Sequence, residues 1–414
     1  MTLLAPPIDI IDPALASIRE KVVANQRLTR EDGRALFKSR DIFTIGELAN
    51  LVRERRHGRQ AYYNINQHIN YSNFCVLRCK FCAFYRPFDK AGDHAEDSYE
   101  LSVEEVVERC QGAAKAGATE VHIVGGLHPK LPFSYYTDMC RGIKAACPTL
   151  AIKAFTAIEI VHFTRITKPR LNIEEVLIAL REAGLDTLPG GGAEIFDDRV
   201  HDEAYKAKVG EKHWFDVHDT AHRLGIPTNA TMLYGHIENA DERIEHLIKL
   251  RDQQDRSLAR CANDECRMTN DEWKSHDATR HPTPDTPAHG AKIKPAAFQC
   301  LIPLSFIPDG SELSHLPGPT GLDDLKTLAI SRLMLDNFDH IKAFWIMQSP
   351  KLSQVSLNWG VDDFDGTVVW YDITKREGRG TNHQELTVDQ IRRLIREAGC
   401  EPVERDSFYR EVVR

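Results

Sequence analysis

Three cysteines stand close together in this chain, and their spacing suits an inorganic cofactor. Cys75, Cys79 and Cys82 follow one another as C-x3-C-x2-C within the segment 70–85. Iron–sulfur clusters are ordinarily held by four thiolates, and no fourth ligand follows nearby in the sequence. The spacing therefore predicts a [4Fe-4S] cluster in which one iron has no protein ligand, and such an iron is open to chemistry.

Other sites could use the same cysteines. A structural zinc site usually has four protein ligands, and a disulfide is disfavoured in a reducing compartment. A zinc site and a simple electron-transfer cluster stay open as alternatives. The loop, with Phe81 just before its last cysteine, resembles that of the radical S-adenosylmethionine (SAM) superfamily, in which SAM chelates the open iron. The resemblance implies that Phe81 binds cofactor and that SAM is a co-substrate.

Glycine turns and acids supply further candidate cofactor-binding residues. Gly125 and Gly126 follow a short apolar segment, and a glycine pair lets the backbone approach a ligand closely. Gly191 lies in a run of three glycines, and Glu194 stands just beyond that run. Glu159 follows another strand-like segment and could hold a ribose hydroxyl or an amine. A plain turn, a flexible loop and a surface acid are the structural alternatives for these residues.

Candidate substrate-binding residues come from two strand-like segments. His68 precedes the cysteine loop, whereas Asn229, Tyr234 and His236 lie in the segment 228–236. Alternation along a strand would turn part of this second set inward. A single histidine such as His236 is more often structural than catalytic.

Strands and helices alternate along the chain in a way that would bring these residues together. Helix starts are marked by capping residues followed three positions later by an acid, at Thr29, Thr44, Ser102 and Asn172. The predicted strands are 61–71, 119–124, 151–155, 186–188, 227–234, 298–306, 341–346 and 355–359. We therefore predict an α/β fold, a parallel (β/α)8 TIM-like barrel whose active site lies at the carboxyl ends of the strands.

The predicted domain organisation has three parts. Residues 1–60 form an N-terminal helical cap, 61–370 form the barrel, and 371–414 form a C-terminal helix and tail packed on it. The alternation breaks at about 256–295, where the chain becomes polar and rich in proline. This segment is either a solvated surface insertion or a small zinc site, with ligands drawn from Cys261, Cys266, His276, His281 and His289.

Composition narrows the functional classes. Lys and Arg number 53 against 61 Asp and Glu, and this acidic balance argues against nucleic-acid binding. We found no run of about 18 apolar residues and no signal peptide, so we expect a cytoplasmic protein without a membrane partner.

Several motifs together resemble the aminofutalosine synthase family of radical SAM enzymes. They are the cysteine loop with 68–74 before it, VGGLHP at 124–129, KAFTAIEI at 153–160, LPGGGAEI at 188–195 and TNATMLYGH at 228–236. The resemblance covers roughly 60–255 and resumes from about 298 to the end, whereas the segment 256–295 departs from the family pattern.

The resemblance implies a specific reaction. A 5′-deoxyadenosyl radical made from SAM adds to the enol ether of 3-[(1-carboxyvinyl)oxy]benzoate. Rearrangement and loss of bicarbonate then give 6-amino-6-deoxyfutalosine, for menaquinone biosynthesis. A flavodoxin- or ferredoxin-type protein would donate the electron. The alternatives are a dehypoxanthine futalosine cyclase, a subunit of the coenzyme F420 precursor synthase, and a non-catalytic iron–sulfur or zinc-binding module.

Replacing one cysteine tests the cluster assignment. Cys79→Ala removes one of the three predicted ligands, so we expect loss of both the cluster and SAM turnover after anaerobic reconstitution. Absorbance of the cluster and product formation are the measurements. Activity that survives the substitution would refute the assignment.

Overall fold

A computed structural model of the chain describes residues 11–89, 94–263, 294–368, 373 and 385–414. Four short elements come first: a 3-10 helix Pro13–Leu15 and helices α1 (Ala16–Val23), α2 (Arg30–Lys38) and α3 (Ile42–His57). The predicted capping box at the start of α2 is confirmed, because Thr29 and Asp32 bond each other's backbone N–H groups. Asp41 rather than Thr44 caps α3, so that helix begins earlier than the sequence pattern indicated.

The strands form a ring, and the predicted barrel is confirmed. The strands are β1 (Gln60–Asn64), β2 (Asn66–Ile69), β3 (Glu120–Ile123), β4 (Ala151–Ala154), β5 (Thr228–Tyr234), β6 (Phe298–Ser305), β7 (His340–Ile341), β8 (Asp363–Gly366) and β9 (Glu401–Glu404). All of their pairings are parallel, with β2, β3 and β4 in one group and β5, β6 and β7 in another. Bridges through Thr187 and Leu188 join β4 to β5, and β8 pairs with β1 to close the ring.

Helices cover the outside of the ring. They are α4 (Val103–Lys115), α5 (Phe133–Ala146), α6 (Ala157–Ile166), α7 (Ile173–Glu182), α8 (Asp198–Ala204), α9 (Glu211–Arg223), α10 (Ala240–Asn263), α11 (Gly321–Met334), α12 (Trp345–Gln348), α13 (Pro350–Ser356) and α14 (Val388–Glu397). The capping boxes predicted at Ser102 and Asn172 are confirmed at the starts of α4 and α7. In the described part of the chain, no helix is both long and apolar enough to cross a bilayer.

The positions predicted for two strands near the end of the barrel were wrong. The segment 355–359 lies at the end of α13 and in the turn after it, and β7 is only His340–Ile341. The true last strand of the ring is β8, whose aspartates interrupt the apolar pattern that sequence reasoning looks for. A short apolar run cannot be assigned to helix or strand by periodicity alone, which explains the error.

The boundaries of the outer segments also need correction. The polar insertion was predicted from about 256, but α10 continues to Asn263. Cys261 lies in that helix, with its Sγ 3.4 Å from the carbonyl oxygen of Pro295. The other zinc candidates, Cys266, His276, His281 and His289, lie outside the described residues. The domain divisions at 60 and 370 stay predictions.

The C-terminal segment is more than a helix and a tail, because β9 pairs with β1 along Gln60–Tyr63. Arg405 follows β9 and is fully buried. Its Nε and Nη2 atoms lie 2.8 and 2.7 Å from Oδ2 of Asp363 in β8, and Tyr409 donates to the same oxygen at 2.7 Å. This buried ion pair ties the end of the chain to the strand that closes the ring.

Removing that cation tests its structural importance. Arg405→Met leaves the Asp363 carboxylate buried without its charged partner, so we expect the free energy of unfolding to fall by about 3–5 kcal/mol. Urea unfolding followed by circular dichroism measures the change. Arg393→Met is the control, because Arg393 is exposed and only 3.7 Å from Glu397, and it should change stability by less than about 0.5 kcal/mol. Equal losses in the two variants would contradict the expectation.

Candidate active site

The cysteine loop leaves the carboxyl end of β2 and forms a partly buried group of three thiols. Cys79 is buried, whereas Cys75 and Cys82 are half-buried. Burial raises the pKa of Cys79 to about 12, nearby Lys208 opposes this rise, and the neighbouring thiols Cys82 and Cys75 add to it. The three cysteines come from one loop, and a metal bound by their thiols would replace the protons.

Backbone N–H groups point at one of the sulfurs, as a thiolate ligand requires. Leu77 and Leu127 each donate to Sγ of Cys75 at 3.4 Å. Hydrogen bonds to cluster sulfurs stabilise their negative charge. The donor set of three thiols with such support therefore fits an iron–sulfur cluster with one open iron.

The glycine pair holds the cysteine loop in place. A Cβ on Gly126 would lie 2.2 Å from the carbonyl oxygen of Phe74, and one on Gly125 would lie 2.6 Å from the ring of Tyr71. The amide of Gly126 donates to the carbonyl of Ser72 at 2.9 Å. Neither glycine lines the cavity described below. Their placement is therefore a support for the cluster loop, and a direct contact with cofactor stays a prediction.

Glu159 stands behind that glycine turn. Its carboxylate accepts hydrogen bonds from the Gly125 amide at 3.2 Å, the Tyr71 hydroxyl at 2.8 Å, and the amide and hydroxyl of Thr156. Burial raises the pKa of Glu159 to about 7, against the effect of these donors. Because these donors surround its carboxylate, Glu159 supports the glycine turn. Glu159 does not line the cavity, and a direct contact with cofactor stays a prediction.

The three-glycine turn lies on the opposite side of the cavity mouth. Gly191 and Glu194 both line the cavity, and Glu194 has a positive φ of 44°. Lys208 forms a short ion pair with Glu194, and its Nζ lies 5.4 Å from the centre of the Phe81 ring. Lys208 also faces Cys79, and both Glu194 and Cys79 raise the pKa of Lys208 against the effect of burial. Sequence reasoning missed this lysine, which connects the glycine turn with the cluster loop.

A cavity of about 260 Å³ extends from this mouth into the barrel lumen. Of the residues predicted for the site, those on its wall are Phe81, Cys82, Gly191, Glu194, His68 and Asn229. Those that are not on its wall are Cys75, Cys79, Gly125, Gly126, Glu159, Tyr234 and His236. The mouth thus combines one of the three thiols with the aromatic ring beside it and the glycine turn opposite.

Two of the substrate candidates, Tyr234 and His236, lie off the cavity wall. Along β5 the residues Asn229, Thr231 and Leu233 face the lumen, so the next residue, Tyr234, points away from it. The Tyr234 hydroxyl donates to Asp324 at 2.6 Å and lies 2.8 Å from the hydroxyl of Ser305. The His236 ring lies 3.1 Å from the carbonyl of Leu233 and stacks behind Phe81. Both side chains therefore have structural partners, and a contact of either one with substrate stays a prediction.

The deeper part of the cavity is charged. The Nζ atom of Lys153 in β4 lies 2.6 Å from Glu120 in β3, and the Nζ atom of Lys342 lies 2.8 Å from Asp365 in β8. The ring of His122, also in β3, lies 4.3 Å from that of His68. Burial, together with Lys153, lowers the pKa of His122 to about 3, so this ring is neutral at neutral pH. The sequence did not single out these charged residues, because each resembles an ordinary surface charge.

Comparisons with known proteins agree with this arrangement. The model of the radical SAM superfamily matches residues 69–250, and that of the CofH/MqnC C-terminal region matches 295–413. An aminodeoxyfutalosine synthase of Thermus thermophilus is 44% identical over 97% of this chain and 97% of its own length. One from Streptomyces coelicolor is 37% identical over 96% of this chain and 93% of its own. The crystal structure of methylornithine synthase superposes with a TM-score of 0.66 at 17% identity, over 93% of this chain and 97% of that one, which supports the fold.

A side chain added to the glycine turn tests its support of the cysteine loop. Gly126→Ala pushes a methyl group into the Phe74 carbonyl, so the loop must shift, and we expect cluster affinity to fall about 10-fold or more. Iron per protein after reconstitution and gel filtration is the measurement. Gly112→Ala in α4 is the control, since its Cβ meets nothing within 4 Å, and it should bind iron as the wild type does. Full iron content in Gly126→Ala would contradict this role.

Proposed function

We propose that this chain, which belongs to the radical SAM superfamily and carries the CofH/MqnC C-terminal region, catalyses the synthesis of 6-amino-6-deoxyfutalosine. Its substrates are SAM and 3-[(1-carboxyvinyl)oxy]benzoate, and the product serves menaquinone biosynthesis. The observation that carries the proposal is the three-thiol loop, whose Cys82 and Phe81 open onto a cavity that continues into the barrel lumen.

The residues that would hold the cofactors are the three cysteines and the walls of the cavity mouth. Cys75, Cys79 and Cys82 would ligate a [4Fe-4S] cluster. When bound, the cluster supplies the electron that splits SAM into methionine and an adenosyl radical, which adds to the enol-ether double bond. Overall, SAM, the enol ether and water give product, methionine, bicarbonate and a proton. The electron spent on SAM is therefore returned when the carboxylate is lost.

The mouth residues offer SAM both polar and aromatic contacts. The glycine turn lies tightly against α6, since a Cβ on Gly191 or Gly192 would lie 2.9 or 2.4 Å from Thr156 or Ile158. This leaves backbone surface for the adenosine group, while the Phe81 ring lines the mouth with Lys208 Nζ 5.4 Å from its centre. Glu194 and Lys208 neutralise each other beside that surface, so neither presents an isolated charge.

The chain's other contribution is to enclose the reactants. Apolar side chains from β5, β6 and the segment after β7 line the cavity between its mouth and its charged depth, namely Leu233, Ile302, Leu304, Phe344 and Met347. Walls of this kind exclude water and aim a reactive group at its acceptor, which is the protein's task in a cofactor enzyme.

The overall reaction consumes no electrons, but the cluster would need a donor of single electrons to reach its reduced state. We infer a flavodoxin- or ferredoxin-type donor and a cytoplasmic location, because free cysteine thiols of this kind persist in a reducing compartment.

Mass spectrometry distinguishes this function from its relatives. The protein is reconstituted anaerobically and incubated with SAM, dithionite and the enolpyruvyl benzoate, and we expect a product in which adenosine is joined covalently to the benzoate. The control Cys147→Ala removes a buried thiol at the end of α5 and should leave the product unchanged. Free 5′-deoxyadenosine as the stoichiometric product would contradict the proposal and favour a hydrogen-abstracting reaction.

A further inference from the structure

We propose that Lys153 and Lys342, deep in the barrel lumen, bind the ring carboxylate of the benzoate substrate and so determine which aryl ethers the protein accepts. The inference rests on the proposed function and assigns the orientation of the substrate within it.

The lumen is built unlike the interior of an ordinary barrel. Barrels of this type are usually filled by Val, Ile and Leu. Here the deep wall carries two ammonium groups, two carboxyl groups and two imidazoles, and it still encloses space. Lys153 is 1% exposed and Lys342 is 4% exposed. Burying so many charges costs stability, and that cost indicates a purpose other than packing.

Each lysine has hydrogen-bonding capacity beyond its ion pair. An ammonium group has three N–H donors. The acceptor that the structure places on Lys153 is Glu120, at 2.6 Å, and the one on Lys342 is Asp365, at 2.8 Å. Both lysine side chains line the lumen, so the remaining N–H groups of each can donate to a ligand there. The two cations are also close enough that Lys342 lowers the pKa of Lys153. An anion bound between them would relieve that repulsion.

Asp365 shows a second sign of a ligand site. Its Oδ2 atom is buried and has no hydrogen-bond partner among the described residues, and its backbone has a strained φ of 71°. Burial raises the pKa of Asp365, and Lys342 opposes that rise. The lumen cations Lys153, Lys342 and Arg405 are balanced by Glu120, Asp365 and Asp363, so a bound carboxylate would bring one proton with it. The unpartnered Oδ2 atom of Asp365 can hold that proton and donate it to the carboxylate beside Lys342.

The position of the reacting double bond decides which of the two substrate carboxylates, that of the ring or that of the enol ether, enters the lumen. The enol-ether carbon must face the mouth, where Cys82 and Phe81 lie, because the adenosyl group arrives there. The substrate's other end is its aromatic ring with the ring carboxylate. That ring would pass the neutral imidazoles of His68 and His122, with Phe344 centred 6.1 Å from His68, before its carboxylate reaches the lysines.

Binding of two ligands, measured without turnover, tests the inference. Reconstituted protein with SAM and no reductant is titrated calorimetrically with 3-[(1-carboxyvinyl)oxy]benzoate and with 2-phenoxyacrylate, which lacks the ring carboxylate. A charge-assisted hydrogen bond contributes about 1.5–3 kcal/mol, so the wild type should bind the benzoate about 10- to 100-fold more tightly. Lys342→Met and Lys153→Met should weaken benzoate binding by a similar factor and leave phenoxyacrylate binding unchanged.

Lys144→Met removes a comparable ion pair, 2.7 Å from Asp186 and outside the cavity, and should not change either affinity. If Lys153→Met does not fold because Glu120 is left unpaired, the double variant Glu120→Gln, Lys153→Met replaces it. Equal wild-type affinity for the two ligands, or lysine variants that bind the benzoate normally, would overturn the inference. If the wild type still forms the adenosine adduct, only this inference fails, and the proposed function stands.

Discussion

The site depends on one close backbone contact, between Gly126 and the carbonyl of Phe74. There is no space for a side chain at position 126, since a Cβ would lie 2.2 Å from the Phe74 carbonyl oxygen. The contact brings the amide of Leu127 to Cys75 and the amide of Val76 to the carbonyl of Leu127. Two separate turns, one after β2 and one after β3, thereby become a single rigid wall. Glu159 then fixes this wall from behind through the amide of Gly125.

Stability and function compete in the barrel lumen. An apolar lumen would fold more favourably than one with buried ion pairs, because the desolvation of two charges can exceed their attraction. This chain offsets part of that cost with short contacts, such as Lys153 to Glu120 at 2.6 Å and Arg405 to Asp363 at 2.7 Å. The contact between Arg405 and Asp363 explains why the C-terminal segment folds back onto β1. This segment carries Arg405, which is the cation that pairs with the buried Asp363 of β8.

Local signals were predictable from the sequence, and contacts between distant segments were not. The capping boxes at Thr29, Ser102 and Asn172 and the cysteine loop depend on neighbours within a few residues, so spacing alone reveals them. The sequence also indicated most strands of the ring. β8 was missed because its aspartates are compensated by residues remote in sequence, and Lys208 was missed because it lies in no motif. Tyr234 was assigned to the cavity because the phase of the alternation in β5 cannot be known before its register is.

The charged groups near the two ends of the cavity differ, and this difference gives the cavity a direction. Near the mouth, Lys208 is half-buried beside Cys79 and Glu194 and does not line the cavity, so its charge is already used by the thiol loop and the glycine turn. Lys153 and Lys342 in the lumen each share their charge with one carboxyl group and retain further donors. Between the two ends the wall combines the apolar side chains Leu233, Ile302 and Leu304 with the uncharged polar side chains Asn229 and Thr231. The proposed substrate has one carboxylate on its ring and one on its enol ether, and the ring carboxylate is therefore better satisfied in the lumen, because the mouth has no unused cation to compete for it.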